Sequence, residues 1–221
     1  MSSQQDLILN WADQVLIARL QATAFVTGAG GVGKSKIIAE IKKKYAGACL
    51  VTALMAKVAC AIGGKTLHSA FKIPIAGVIS GILEERQLDG ITILTIDEVA
   101  LLDMYLINQI DQILRKAKKT EQPFGGLITV LFVDFLQLPP INTSTNQKEE
   151  LKYIFDSHIW KNIVTFVLTK NMRTNEDPTY GDVLLRWREG EMIGEEQSFL
   201  KERSISSRLN TCKDYEIVAK K

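Results

Sequence analysis

The sequence is short of the residues that build cross-linked, metal-clustered or membrane-embedded proteins. It has three cysteines in 221 residues, Cys49, Cys60 and Cys212, too few and too scattered for a disulfide framework or a zinc cluster. Cys49 and Cys60 stand among apolar residues and read as buried free thiols, which fits a reducing compartment. There are two histidines, and neither has a sequence partner that suggests metal or triad chemistry. No apolar run reaches the ~20 residues that span a bilayer. The N-terminal Met1-Ser2-Ser3-Gln4-Gln5-Asp6 carries no signal-peptide apolar stretch. These absences predict a soluble, intracellular protein with no membrane partner. The formal net charge is only +2, so any nucleic-acid contact must come from a local basic face. There is no internal repeat, and the one linker-like stretch is Asn142–Lys148.

What is present is enough apolar material for a sizeable core, 46% of the residues. It is laid out as short apolar runs alternating with helical patterns. The spacing predicts helices over Leu7–Leu20 and Lys34–Tyr45, the second with Ile37, Ile38 and Ile41 on one face. Strands are predicted over Ala24–Thr27 and Ala48–Thr52, with a short helix following through Ala61. Gly77–Leu88 is a helix candidate, Ile91–Ile96 a third strand and Glu98–Lys118 a long helix. Leu127–Val133 and Val164–Leu168 complete the strands, and Tyr180–Arg188 and Glu195–Arg203 complete the helices. Alternating strands and helices require crossover connections and give a mostly parallel sheet. Continuous apolar strands imply helices on both faces. The expected class is therefore α/β. Four strands end on residues suited to chemistry, Gly28, Thr52, Asp97 and Asp134, and the ligand crevice of an open parallel sheet lies at the carboxyl ends of its strands.

Gly28-Ala29-Gly30-Gly31-Val32-Gly33-Lys34-Ser35 matches G-x-x-x-x-G-K-S in full, between a strand and a helix, where a phosphate loop must sit. Its glycines let backbone N–H groups face phosphate oxygens, and the helix N-terminus adds a favourable dipole. Lys34 is expected to reach the β- and γ-phosphates, and Ser35 to put its hydroxyl on Mg²⁺; the ligand implied is ATP with magnesium. Asp97 fits the acidic group that orients the metal, directly or through water. Glu98 is placed to take a proton from attacking water. The bland alternative for an Asp-Glu pair is a helix cap, and the phosphate loop upstream favours the catalytic reading.

Val133-Asp134-Phe135-Leu136-Gln137-Leu138-Pro139-Pro140 closes the fourth strand. Gln137 is placed to sense the γ-phosphate, whereas Phe135, Leu136 and Leu138 read as core and Pro139-Pro140 as a rigid turn. Arg173, after the fifth strand, is either a surface group or a neutraliser of charge developing on the γ-phosphate. The lysine runs Lys42–Lys44 and Lys116–Lys119 read as solvated helix faces. His68 reads as a hydrogen-bonded loop histidine.

Taken in order, these segments resemble the first motor lobe of superfamily-one DNA helicases of the PIF (petite integration frequency) branch, relatives of RecD. The resemblance is carried by Gly28–Ser35, Ile62–Phe71, Ile96–Val99, Asp134–Pro140, Phe155–Trp160 and Leu168–Arg173, and covers about residues 1–203. It implies a RecA-like fold and ATP-driven 5′-to-3′ translocation on single-stranded DNA. It also implies roles in DNA repair, recombination and telomere maintenance, and a nuclear or mitochondrial place in a eukaryote. It makes Gln5 the reader of adenine, Gln137 the γ-phosphate sensor and Arg173 an arginine finger. Thr66, His68 and Ser69 become a single-strand contact segment, with Phe71 or Phe135 available to stack on bases.

The sequence departs from the family at Met55-Ala56, where Thr-Gly is usual, and at Val133, where a glycine precedes the Asp-Phe pair. The first loses a hydroxyl near the DNA path, and the second adds bulk at a strand end. Residues 204–221 read as a polar tail, and the expectation is a first motor lobe without the second. The expectation is nucleotide binding with weak or no hydrolysis, and no processive unwinding by this chain alone unless a second polypeptide completes the motor. The alternative is a nucleotide-dependent module that binds single-stranded DNA or a protein without unwinding.

Overall fold

The computed structural model describes residues 3–74, 82–140, 152–172 and 178–203. Contacts divide the chain into two compact units, Met1–Arg173 and Thr174–Lys221.

The first unit is built on six strands: β1 (Thr23–Gly28), β2 (Cys49–Ala53), β3 (Lys65–Thr66), β4 (Ile93–Asp97), β5 (Ile128–Val133) and β6 (Ile163–Leu168). Their spatial order is β3-β2-β4-β5-β1-β6, and every pairing is parallel. The central strands are buried along their whole length, β4 and β5 without exception. That is why they read as unbroken apolar runs, since a parallel strand is covered on both faces. β6 closes one edge and is largely open; β3, two residues long, closes the other.

The helices are α1 (Ser3–Ile17), α2 (Lys34–Lys44), α3 (Ala56–Ala61), α4 (Leu67–Phe71) and α5 (Met104–Lys118). α2 sits on the sheet through Ile37, Ile38 and Ile41, all fully buried. Each such side chain stabilises the fold by about 1.5–3 kcal/mol, so a charge at Ile41 would detach the helix. Among the described residues, no helix is long and apolar enough to cross a membrane.

Several expected elements differ in the structure. The long helix starts at Met104, not at Glu98. Glu98 adopts a left-handed backbone (φ 53) that no helix can pass through, and a 3-10 turn over Val99–Leu101 follows. The true cap is Asp103, whose Oδ1 accepts from Leu106 N–H at 2.7 Å. The β3–α4 pair was not expected, because two and five residues are too few for periodicity to register. Of the Gly77–Leu88 helix candidate, residues 77–81 lie outside the described residues. Its remainder is a 3-10 turn, Glu85–Leu88, started by Glu84 N–H bonding to Gln87 Oε1 at 3.0 Å. The Asn142–Lys148 stretch lies outside the described residues. Cys60, expected buried, is exposed on the short helix α3; Cys49 is half-buried at the start of β2, and both are free thiols. Val133 continues β5 as an ordinary buried strand residue, so the side chain it adds at that strand end is absorbed by the core.

In the second unit, α6 (Pro178–Arg188) and α7 (Gly194–Arg203) form a hairpin organised by Glu196. Its carboxylate accepts from Arg186, from Trp187 Nε1 at 2.7 Å and from Ile193 N–H at 3.2 Å. The Arg186 guanidinium holds this carboxyl below the ordinary range.

Candidate nucleotide-binding site

At the carboxyl ends of β1, β4 and β5 lies a cavity of about 630 Å³. β1 delivers the loop residues Gly30, Gly31, Gly33, Lys34 and Ser35; β4 delivers Asp97 and Glu98; β5 delivers Val133, Asp134 and Gln137. Parallel strands with helical crossovers bring all three ends to one edge. The three residues expected to act in catalysis other than Arg173 (Lys34, Glu98 and Gln137), and both expected metal ligands, Ser35 and Asp97, therefore share one space; Arg173 lies outside the described residues.

The loop is held from several sides. Lys34 Nζ donates to the carbonyls of Gly28 at 2.5 Å and Ala29 at 3.0 Å. Gly31 accepts from Met172 N–H at 2.9 Å, tying the segment after β6 to the loop. Gly33 caps α2 in a left-handed conformation (φ 91, ψ 23), which an L side chain adopts at a cost of about 1–2 kcal/mol. Its open face is taken by Gln5, since a Cβ on Gly33 would lie 2.4 Å from Gln5 Nε2. Gln5, on α1 and 1% exposed, is thus seated against the last glycine of the loop. Beside it, Gln4 forms a reciprocal pair with Thr169, donating to its Oγ1 at 3.1 Å and accepting from its N–H at 3.2 Å. The role of Gln4 was missed because its partner is 165 residues away and adjacency to Gln5 was the only signal.

Asp97 is buried. Burial lifts its carboxyl to about 6; the Glu98 N–H opposes the shift, the Glu98 charge adds to it, and Lys34 opposes it. A cation close by would keep such a group ionised. Ser35 and Asp97 offer oxygen ligands in the same cavity as Lys34 and the loop, and this donor set fits magnesium, which takes one or two protein oxygens and completes its shell with phosphate and water. Among the described residues no group of three or more His, Cys, Asp or Glu side chains forms a metal cluster, and a magnesium bound in that way needs none. Glu98 stands at the cavity in its left-handed conformation; strain of this kind collects at functional sites.

Asp134 shapes the β5 corner. Its Oδ1 accepts from Leu136 N–H at 3.2 Å, and its Oδ2 accepts from Gln137 Nε2 at 3.0 Å. The turn aims Gln137 along the cavity wall. It also turns Phe135, Leu136 and Leu138 outward, so the expectation that these three are core is wrong: they are 38%, 54% and 71% exposed. Phe135 keeps aromatic contact with Phe25, centroids 5.5 Å apart, and with Phe155 at 5.7 Å. Thr52, expected to end a strand, is followed in β2 by Ala53 and does not reach the cavity. It is fully buried, and its Oγ1 donates to Thr95 O at 2.9 Å.

Thr66, His68 and Ser69 lie on β3 and α4, at the sheet edge and apart from the cavity lining. Thr66 Oγ1 accepts from Ser69 N–H at 3.2 Å, capping α4; His68 is half-buried and Ser69 exposed. Phe71 is core, 1% exposed, which removes it as a base-stacking surface.

The sequence model of the PIF1-like helicase family matches residues 1–196. The ATP-dependent DNA helicase PIF1 of Saccharomyces cerevisiae is 32% identical over 92% of this chain and 25% of its own length. The ATP-dependent DNA helicase RRM3 of the same yeast is 31% identical over 87% of this chain and 28% of its length. This chain therefore spans about a quarter of these relatives. Among solved structures, Pif1 helicase from Bacteroides in complex with ADP-AlF3 and ssDNA superposes with a TM-score of 0.77 at 26% identity, over 93% of this chain and 51% of that one. Pif1 helicase from Candida albicans gives 0.69 at 29% identity, over 88% and 45%. With the loop, the acidic pair and the glutamine corner gathered in one cavity on a matching parallel sheet, the chain belongs to the PIF1-like helicase family.

Proposed function

We propose that this chain is the nucleotide-binding lobe of an ATP-dependent DNA helicase that moves 5′-to-3′ along single-stranded DNA. The observation that carries the reading is the single cavity lined at once by the phosphate loop, the Asp97-Glu98 pair and Gln137. The loop N–H groups and Lys34 hold the β- and γ-phosphates. Gln5, against Gly33, reads the adenine. Ser35 and Asp97 would hold magnesium, which would supply positive charge to offset that of the triphosphate. Glu98 accepts the proton of the attacking water. Gln137, steered by Asp134, senses the γ-phosphate, and Arg173 supplies a further positive charge. Thr66, His68 and Ser69 contact single-stranded DNA. The matched relatives' names support the helicase reading, as does the Bacteroides relative bound to a nucleotide analogue and ssDNA. Movement along DNA needs a second lobe facing the triphosphate, and a second polypeptide is one source of it. In a eukaryote such a motor would act in the nucleus or mitochondrion.

The test is nucleotide binding by calorimetry, with hydrolysis measured with and without single-stranded DNA. Lys34→Ala removes hydrogen bonds from a charged donor, each worth about 1.5–3 kcal/mol, so ATP affinity drops about 10-fold or more. Unchanged affinity would sink the phosphate-loop assignment. Stimulation of hydrolysis by DNA supports a motor, and turnover indifferent to DNA refutes the coupling.

A further inference from the structure

α2 starts in the nucleotide cavity with Lys34 and Ser35 and ends in Lys42, Lys43 and Lys44. Lys44 pairs with Asp13 on α1. Lys42 turns another way: its Nζ donates to the carbonyl of Gly63 at 2.6 Å. An exposed lysine ordinarily keeps its ammonium in water, so a hydrogen bond to the main chain of a different crossover sets Lys42 apart.

The receiving turn is shaped around that contact. Gly63 has φ +62, and a Cβ on it would lie 2.5 Å from Lys42 Nζ. A Cβ on Gly64 would meet the Val51 carbonyl oxygen of β2 at 2.5 Å. The backbone is also tied to α3, by Gly63 N–H to Cys60 O at 3.0 Å and Gly64 N–H to Ala59 O at 2.7 Å. The Gly64 backbone therefore packs directly on β2, with no room for a side chain between them. β3 follows at once, and Thr66 then caps the helix that carries His68 and Ser69. α2 itself is a short rod. Lys42 lies about 12 Å along the axis from Lys34, with Ile37, Ile38 and Ile41 fully buried between them.

We infer that Lys42 is a positioning residue that couples the phosphate loop to the Thr66–Ser69 segment, so that nucleotide and single-stranded DNA change each other's affinity through the Lys42–Gly63 contact. The inference rests on the proposed reading of both sites. Linkage makes the factor the same in both directions, so either ligand can report it.

The experiment uses the whole chain and the anisotropy of a fluorescein-labelled oligothymidine. In the wild type, the DNA dissociation constant differs by about 5-fold or more between nucleotide-free protein and protein saturated with Mg²⁺ and a non-hydrolysable ATP analogue. Lys42→Ala brings that ratio to within about 2-fold of one and leaves analogue affinity without DNA unchanged. Lys42→Arg restores the ratio, because a guanidinium can donate to the same carbonyl. Lys43→Ala, with the same loss of charge from the same helix end, keeps the wild-type ratio. A wild-type ratio retained by Lys42→Ala overturns the inference, and so does an equal loss in Lys43→Ala, which would assign the effect to charge. A wild-type ratio of one with both ligands bound overturns the inference alone. Wild-type protein that binds no analogue refutes the nucleotide site, and protein that binds no oligothymidine refutes the DNA segment; either result removes the inference too.

Discussion

Replacing Gly33 with alanine separates two contributions to the nucleotide loop. The first is conformational: Gly33 is left-handed at φ 91, and an alanine held there costs about 1–2 kcal/mol. The second is a collision, because the new Cβ would stand 2.4 Å from Nε2 of Gln5, a side chain only 1% exposed. The amide must leave its seat, and a buried polar group whose hydrogen bonds are not remade costs about 1–3 kcal/mol. Gly33→Ala should therefore lower stability by about 2–5 kcal/mol in total. A double-mutant cycle isolates the second part. In a Gln5→Ala background the collision partner is gone, so the same substitution should cost only the conformational part, leaving an interaction energy of about 1–3 kcal/mol between the two positions. Urea denaturation of the four proteins measures the cycle, and calorimetry with ATP and GTP follows its consequence, since both single variants should lose preference for adenine. If Gly33→Ala cost the same with and without Gln5, the reasoning that seats Gln5 on the loop would be refuted.

Asp134→Ala deprives Leu136 N–H and Gln137 Nε2 of their acceptor; it should lower hydrolysis by about 100-fold through misplacement of Gln137 while leaving ATP affinity near wild type, and an equal fall in affinity would contradict the steering role. Burial pushes the Cys49 thiol up to about 11, so it is almost wholly protonated near neutral pH and reacts slowly. Iodoacetamide followed by peptide mass mapping should label exposed Cys60 before Cys49, and the reverse order would speak against the burial of Cys49. The Asp13 carboxyl is held below its ordinary value by hydrogen bonds first from Lys44 and then from Tyr45, the latter at 2.6 Å. A lowered folded pKa adds stability that is full above the unfolded value of about 3.9 and is lost as pH falls through the folded value. Asp13→Asn should thus be less stable than wild type at neutral pH, with the gap closing in acid, and a gap independent of pH would exclude the ion pair as its cause.

Much of the fold and of the site was legible in the residues alone, because the signals were local and strong. The run Gly28–Ser35 is one strand-to-helix turn, and its chemistry depends on neighbours in sequence. The buried strands β4 and β5 show as apolar runs because both their faces are covered. Asp97, Glu98 and Gln137 were found by standing at strand ends, and parallel topology gathers strand ends at one edge. Local patterns failed where distant atoms decide. Phe135, Leu136 and Leu138 look like core by composition, yet the Asp134 turn carries them outward. Thr52 stands just before a strand end, but its hydroxyl is spent on the neighbouring strand.

By itself, then, the amino-acid order determined the strand-and-helix alternation, the phosphate loop and the acidic groups, since each is written in residues a few positions apart. Tertiary structure alone decided that Gln5 rests on Gly33, that Gln4 grips Thr169 and that Lys42 reaches Gly63. These contacts join residues from 21 to 165 positions apart, and only the stacking order of the strands brings them together.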